Sequence, residues 1–112
     1  MHTSDKLQTL ARLQQTIATR AEAADGETSY TARLLAAGSQ KCARKFGEEA
    51  IELILASQAD DSDDTIAEAA DVVYHLLVLL KAKGVSLDQV LDELDGRFAQ
   101  SGLEEKASRV TG

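Results

Sequence analysis

Two acidic clusters at helical spacing sit inside stretches that are otherwise apolar: Glu48-Glu49-Ala50-Ile51-Glu52 and Glu68-Ala69-Ala70-Asp71. A helix in a small domain should be apolar on the side it buries, and carboxylates are seldom buried unless something pairs with them. A fold for this chain must therefore leave both clusters in solvent or bring them to a shared counter-charge. Divalent cations are the natural counter-charge, because hard metal ions take oxygen ligands.

The rest of the chain reads as helix. With 112 residues, no proline and few aromatics, but abundant Ala and Leu, it favours a single all-α domain over 1–112. A first helix is expected over about 6–23, where Leu7, Leu10, Ala11, Ile17, Ala18 and Ala21 form one apolar stripe. Asp25-Gly26-Glu27-Thr28 reads as a loop. A short helix follows from Tyr30 to Ala37, with Ser29 or Thr28 as its cap and Gly38 as its stop.

The third helix is expected over about 40–59, with Ser39 as N-cap, and the fourth over about 65–83, stopping at Gly84. The run Asp60-Asp61-Ser62-Asp63-Asp64 between them suits a helix start, where acids complement the dipole. It does not make a calcium loop, since no register gives the required Gly and Glu. The fifth helix spans about 87–100, with Ser86 and Gln89 as a capping box. The tail 101–112 has little periodicity and is expected to be mobile in the free protein.

Charge narrows the partners. Twelve basic against 19 acidic residues leave a net charge of −7. Such a chain is ill-suited to nucleic acid or an anionic membrane, where basic clusters supply the affinity. The start, Met1-His2-Thr3-Ser4-Asp5, lacks the regions of a signal peptide, and the apolar run from Val72 to Leu80 is too short to span a bilayer. These features lead us to expect a soluble cytoplasmic protein. The single Cys42 reads as a small core residue.

On a helical wheel Lys41, Lys45, Glu48, Glu49 and Glu52 share one face, opposite Phe46, Ala50, Leu53, Ile54 and Leu55. On the next helix Asp64, Glu68, Asp71 and His75 share a face, and Ile66, Ala69, Val73, Leu76, Leu77 and Leu80 cover the other side. The short connection should pack the two helices antiparallel, so that their acidic faces meet or line one cleft. Crowded carboxylates repel one another until a cation intervenes. Magnesium takes one or two carboxylates and keeps phosphate oxygens or waters as its other ligands. Metal-assisted phosphoryl or pyrophosphoryl hydrolysis is the implied chemistry. The bland alternative for the first cluster is a solvated face balanced by lysines. Lys41 and Lys45 suit either that balance or contact with phosphate. His75, alone on a largely apolar helix, reads as a hydrogen-bonded core residue.

The segments Ser29-Tyr30-Thr31-Ala32-Arg33-Leu34-Leu35, Lys45-Phe46-Gly47-Glu48-Glu49-Ala50-Ile51-Glu52 and Glu68 through Leu80 closely resemble the phosphoribosyl-ATP pyrophosphatases, within the MazG-like all-α nucleotide pyrophosphohydrolases. The resemblance runs from about Leu10 to Arg97. It implies hydrolysis of phosphoribosyl-ATP to phosphoribosyl-AMP and pyrophosphate in histidine biosynthesis, and a helical homodimer. The wider group's Glu-x-x-Glu and Glu-x-x-Asp pattern falls on Glu49, Glu52, Glu68 and Asp71, implying them as ligands of magnesium, with manganese as a substitute. Glu48 is the extra acid, suited either to binding in the metal's outer shell or to activating water. Ser29, Tyr30, Lys41, Lys45 and His75 form the expected substrate-binding set. Arg33 and Phe46 depart mildly from the pattern and leave the acids untouched.

Three other readings compete. A related enzyme could act on other nucleoside triphosphates. A di-iron bundle needs two Glu-x-x-His motifs, and neither His2 nor His75 supplies one. A non-enzymatic dimerisation module would have no metal affinity.

Overall fold

The computed structural model describes residues 3–22 and 29–111, and the side chains of 6–22, 29–100 and 102. The loop expected at 25–28, the N-terminal residues Met1 and His2, and the tail's side chains at 103–112 lie outside the described set. The described residues form five helices and no strand: α1 (Thr3–Glu22), α2 (Tyr30–Ala37), α3 (Ser39–Ser57), α4 (Ser62–Ala82) and α5 (Leu87–Thr111). The all-α bundle expected from the sequence is the fold observed.

Local chemistry explains most boundaries. Ser29 is extended, and its hydroxyl accepts the Ala32 N–H at 3.2 Å, so α2 starts where the sequence placed it. Gly38 alone joins α2 to α3. Its φ of 103° and ψ of 167° lie in a region open in practice only to glycine. Its N–H donates to the Leu35 carbonyl, and its own carbonyl accepts from Cys42 N–H, both at 3.2 Å. Gly38 rather than Ser39 therefore caps α3, and Ser39 is the first helical residue.

At the next turn α4 begins at Ser62, earlier than expected, because the Asp61 carboxylate caps the N–H groups of Asp63 and Asp64. The aspartate run is thus a helix start. The helix ends at Gly84 in a Schellman turn: Val85 N–H donates to the Leu80 carbonyl and Gly84 N–H to that of Lys81. In the capping box of α5, Gln89 N–H donates to the Ser86 hydroxyl at 3.1 Å and Ser86 N–H to the Gln89 side-chain oxygen at 2.9 Å. That helix continues past Gln100 to Thr111, because Leu, Glu, Lys and Ala propagate a helix even without an apolar stripe.

Helices α3 and α4 form an antiparallel hairpin and make the most extensive helix contact. Near its tip the Thr65 hydroxyl donates to the Ala56 carbonyl at 3.3 Å. At its base lies the core: Ile17 of α1, Leu34 of α2, Cys42 of α3, Leu77 and Val78 of α4, and Leu87. Cys42 is the small core residue expected, and its thiol donates to the Leu34 carbonyl at 3.3 Å. Burial pushes that thiol's pKa up, which keeps it protonated and inert. Toward the tip the outer face is bare, with Ile54 59% and Leu55 66% exposed, and Ile51 and Ile66 exposed beside them. Beyond Leu87, α5 leaves the bundle, and residues 91–100 are all exposed. The radius of gyration is 17.3 Å, against about 13 Å for a compact chain of this length.

Candidate active site

The hairpin brings the two acidic clusters together. Glu49 and Glu52 lie three residues apart on α3, and Glu68 and Asp71 three apart on α4, so each pair projects from one face. Packing turns those faces toward each other. Ligand-capable oxygens of Glu49, Glu68 and Asp71 all lie within 4.8 Å of one another. Glu49 and Glu68 are half-buried, and each carries one buried carboxylate oxygen without a hydrogen-bond partner.

The electrostatics follow from this crowding. Burial raises the pKa of Glu49, and hydrogen bonding and repulsion from Glu52, then repulsion from Asp71, raise it further. Glu68 is raised first by burial, then by the charges of Glu52, Asp71, Glu49 and Asp64. Glu52 is therefore close enough to act on both, although it is itself exposed and lies outside the tight trio. Three carboxylates, two of them with an orphaned oxygen and with neither His nor Cys among them, form an all-oxygen donor set. It fits a hard divalent cation and not a soft one.

The remaining expected residues surround this centre. Glu48 stands at its exposed rim, ion-paired at 3.2 Å with Lys45, which is half-buried. The hydrogen bond to Glu48 raises the Lys45 pKa. Lys41 is exposed, one turn before Lys45 on α3. Ser29 commits its hydroxyl to capping α2. His75 is 5% exposed. Its Nδ1 lies 2.9 Å from the Asp71 carbonyl oxygen, so Nδ1 carries the proton and donates it there. In the neutral ring Nε2 is then the acceptor, and the Tyr30 hydroxyl donates to it at 3.2 Å. His75 is thus the hydrogen-bonded core residue that its position suggested, and it connects Tyr30 to the backbone of Asp71.

Two residues beside it stand outside the expected substrate-binding set. The Thr31 hydroxyl bonds the Tyr74 hydroxyl, again joining α2 to α4. Tyr74 stacks on Tyr30 with centroids 6.3 Å apart, and His75 meets Tyr74 edge-on at 4.9 Å. The available signal was the polar pair Tyr74-His75 interrupting an apolar run.

The chain matches the phosphoribosyl-ATP pyrophosphohydrolase family over residues 10–98, a span that holds every member of the acidic set. It is 57% identical over 100 residues to the phosphoribosyl-ATP pyrophosphatase of Paracoccus denitrificans, covering 89% of this chain and 92% of that one. It is 54% identical to the enzyme of the same name from Rhodobacter capsulatus, covering 89% and 96%. For the Erythrobacter litoralis protein of that name the identity is 53% over 103 residues, covering 92% and 98%. With an all-helical fold, a converging acidic trio and this likeness along nearly its whole length, the chain belongs to the phosphoribosyl-ATP pyrophosphohydrolase family.

Proposed function

We propose that this protein hydrolyses phosphoribosyl-ATP to phosphoribosyl-AMP and pyrophosphate, a step of histidine biosynthesis. The observation that carries the reading is the convergence of Glu49, Glu68 and Asp71 within 4.8 Å in a chain of this family. The relatives' names favour phosphoribosyl-ATP over other nucleoside triphosphates.

Glu49, Glu68 and Asp71, with Glu52 beside them, are our candidates to hold magnesium, or manganese in its place. When bound, the cation supplies positive charge against the phosphates and makes a water more acidic. The protein's own groups do the rest. Lys45 offers a flexible ammonium at the rim, where it can shift from Glu48 to a phosphate oxygen, and Lys41 lies one turn away. Glu48, released by that shift, is our candidate to orient the attacking water. Ser29, the N-cap of α2, and Tyr30 are our candidates for the substrate side, with His75 acting through Tyr30.

The protein is further proposed to be a homodimer. Large apolar side chains on the hairpin's outer face and along α5, including Leu91, Leu94 and Phe98, are exposed in the single chain. A second copy covering them would give the core the area that one small chain lacks. A cytoplasmic location belongs to the same reading, since a phosphorylated nucleotide does not cross a membrane unaided. Among the described residues no helix is long and apolar enough to cross one.

The test is a substrate panel, phosphoribosyl-ATP beside common triphosphates, with pyrophosphate release measured with and without magnesium. Phosphoribosyl-ATP should be the preferred substrate. Hydrolysis in oxygen-18 water should place label in the monophosphate, as required for attack at the α-phosphorus. Orthophosphate release, or label in pyrophosphate, would overturn that choice of bond.

A further inference from the structure

Two adjacent residues at the start of α2 bond to two adjacent residues of α4. Tyr30 reaches His75, and Thr31 reaches Tyr74. Thr31 is 1% exposed. A buried hydroxyl pair adds little net stability over an apolar pair of the same shape. What it adds is direction, because a hydrogen bond tolerates little rotation. The eight-residue α2 is too short to be stable alone. Its rotation on α4 is therefore set by contacts such as these.

The direction of the other bond limits what Tyr30 can do. His75 Nδ1–H donates to the Asp71 carbonyl, so in the neutral ring Nε2 accepts the one proton of the Tyr30 hydroxyl. The Tyr30 oxygen then has only lone pairs to offer. The residue is 43% exposed. A phosphate oxygen, itself an acceptor, gains nothing from it. A sugar hydroxyl of the nucleotide, which can donate, does.

We propose that Thr31 and Tyr74 are positioning residues: their hydrogen bond sets α2 on α4 so that the Tyr30 oxygen faces the site as a fixed acceptor for a hydroxyl donor of the nucleotide. The inference rests on the pyrophosphohydrolase reading. It adds the group that Tyr30 recognises and the two residues that hold Tyr30 in place.

A double-mutant cycle tests it. Tyr30→Phe removes the acceptor, while Thr31→Val and Tyr74→Phe each remove one hydroxyl of the pin. Each single change should raise KM about tenfold, the worth of one neutral hydrogen bond, and leave kcat within about threefold. Adding Thr31→Val or Tyr74→Phe to Tyr30→Phe should raise KM no further, because the pin acts through Tyr30. Thr31→Ser, which keeps the hydroxyl, should restore wild-type KM. A merely structural bond would lower Tm yet leave KM alone, or multiply its effect on top of Tyr30→Phe; either result overturns the proposal. Thr31→Val and Tyr74→Phe break the same bond from opposite sides, so the outcome does not depend on one variant folding. If the wild-type protein ignores phosphoribosyl-ATP, the functional reading fails, and the same cycle is run on the panel nucleotide it does hydrolyse. Wild-type activity without coupling between Thr31 and Tyr30 would sink this inference alone.

Discussion

The inner and outer faces of the α3–α4 hairpin invert the usual order of a helical protein. The inner face gathers Glu49, Glu68 and Asp71 and buries one oxygen each of the two glutamates without a partner. The outer face, toward the tip, leaves Ile51, Ile54, Leu55 and Ile66 exposed. Each arrangement is unfavourable in the isolated chain. Buried carboxylate oxygens without a partner want a counter-charge, and an exposed apolar patch wants a cover. The base of the same hairpin shows neither problem, since α1 and α2 pack their apolar residues on Cys42, Leu77 and Val78. We read the difference as a tip that serves groups outside this chain: we propose a cation within and a second subunit without.

The largest expected effect is on the inner face. Chelation should abolish pyrophosphate release, and magnesium should restore it. Changing Glu49, Glu68 or Asp71 to its amide should cost about a hundredfold to a thousandfold in kcat, the range for a removed electrostatic stabiliser. Calorimetry should show weakened binding of magnesium or manganese by the same variants. Unchanged metal affinity in all three would break the contrast, leaving the acids a structural role.

The outer face comes next. Light scattering at low micromolar concentration should give twice the chain mass. Leu55→Glu combined with Ile66→Glu should reduce it to one chain, because burying each such side chain is worth about 1.5–3 kcal/mol and a charge forfeits it. A wild-type monomer with full activity would remove the outer half of the argument.

The pH dependence sharpens the inner half. Glu49 and Glu68 are raised by burial and by neighbouring carboxylates, so the folded state holds these protons more tightly than the unfolded state. Metal-free stability from these groups is therefore greatest below the ordinary carboxylate range. It is lost as pH rises from that range through the raised values. Glu68→Gln carries no such penalty. In chelator, its Tm should draw ahead of wild type as pH rises toward neutrality, and added metal should reverse the order. Parallel Tm curves across that window would show that the cluster carries no strain.

The smallest effect is at the turn between the two helices. Asp61 caps α4 through Asp63 and Asp64 N–H. Asp61→Ala should cost about 1 kcal/mol of stability, read by denaturant unfolding, with little change in metal affinity. A large loss of metal binding would mean that the turn, and not the helix contact, sets the spacing of the acids.

Much of this was legible in the residues. Periodicity placed all five helices, and Ser29, Gly84 and the Ser86–Gln89 pair marked their ends, because capping is local chemistry within a few residues of chain. The acidic set was legible for a related reason: a three-residue spacing on a helix places two carboxylates on one face wherever the helix goes. Other features could not be read this way. Wheels predicted Ile54, Leu55 and Ile66 on apolar faces, but a wheel does not say whether anything covers that face within the same chain. The aspartate run was legible as the start of α4, but not which aspartate caps it, so the helix begins at Ser62 and not near Thr65. The role of Thr31 was hidden because its partner Tyr74 is distant in sequence.

By itself, then, the sequence determined which segments are helical, which acids share a face and which family the chain resembles, since these depend on spacing along one element. Only the tertiary structure decided that Glu49, Glu68 and Asp71 converge while Glu52 and Glu48 stand aside, that His75 holds its proton on Nδ1, and that Thr31 and Tyr74 join α2 to α4. Those outcomes depend on how one helix is rotated against another. That rotation is set by the sum of side-chain contacts across the interface, and not by any single residue.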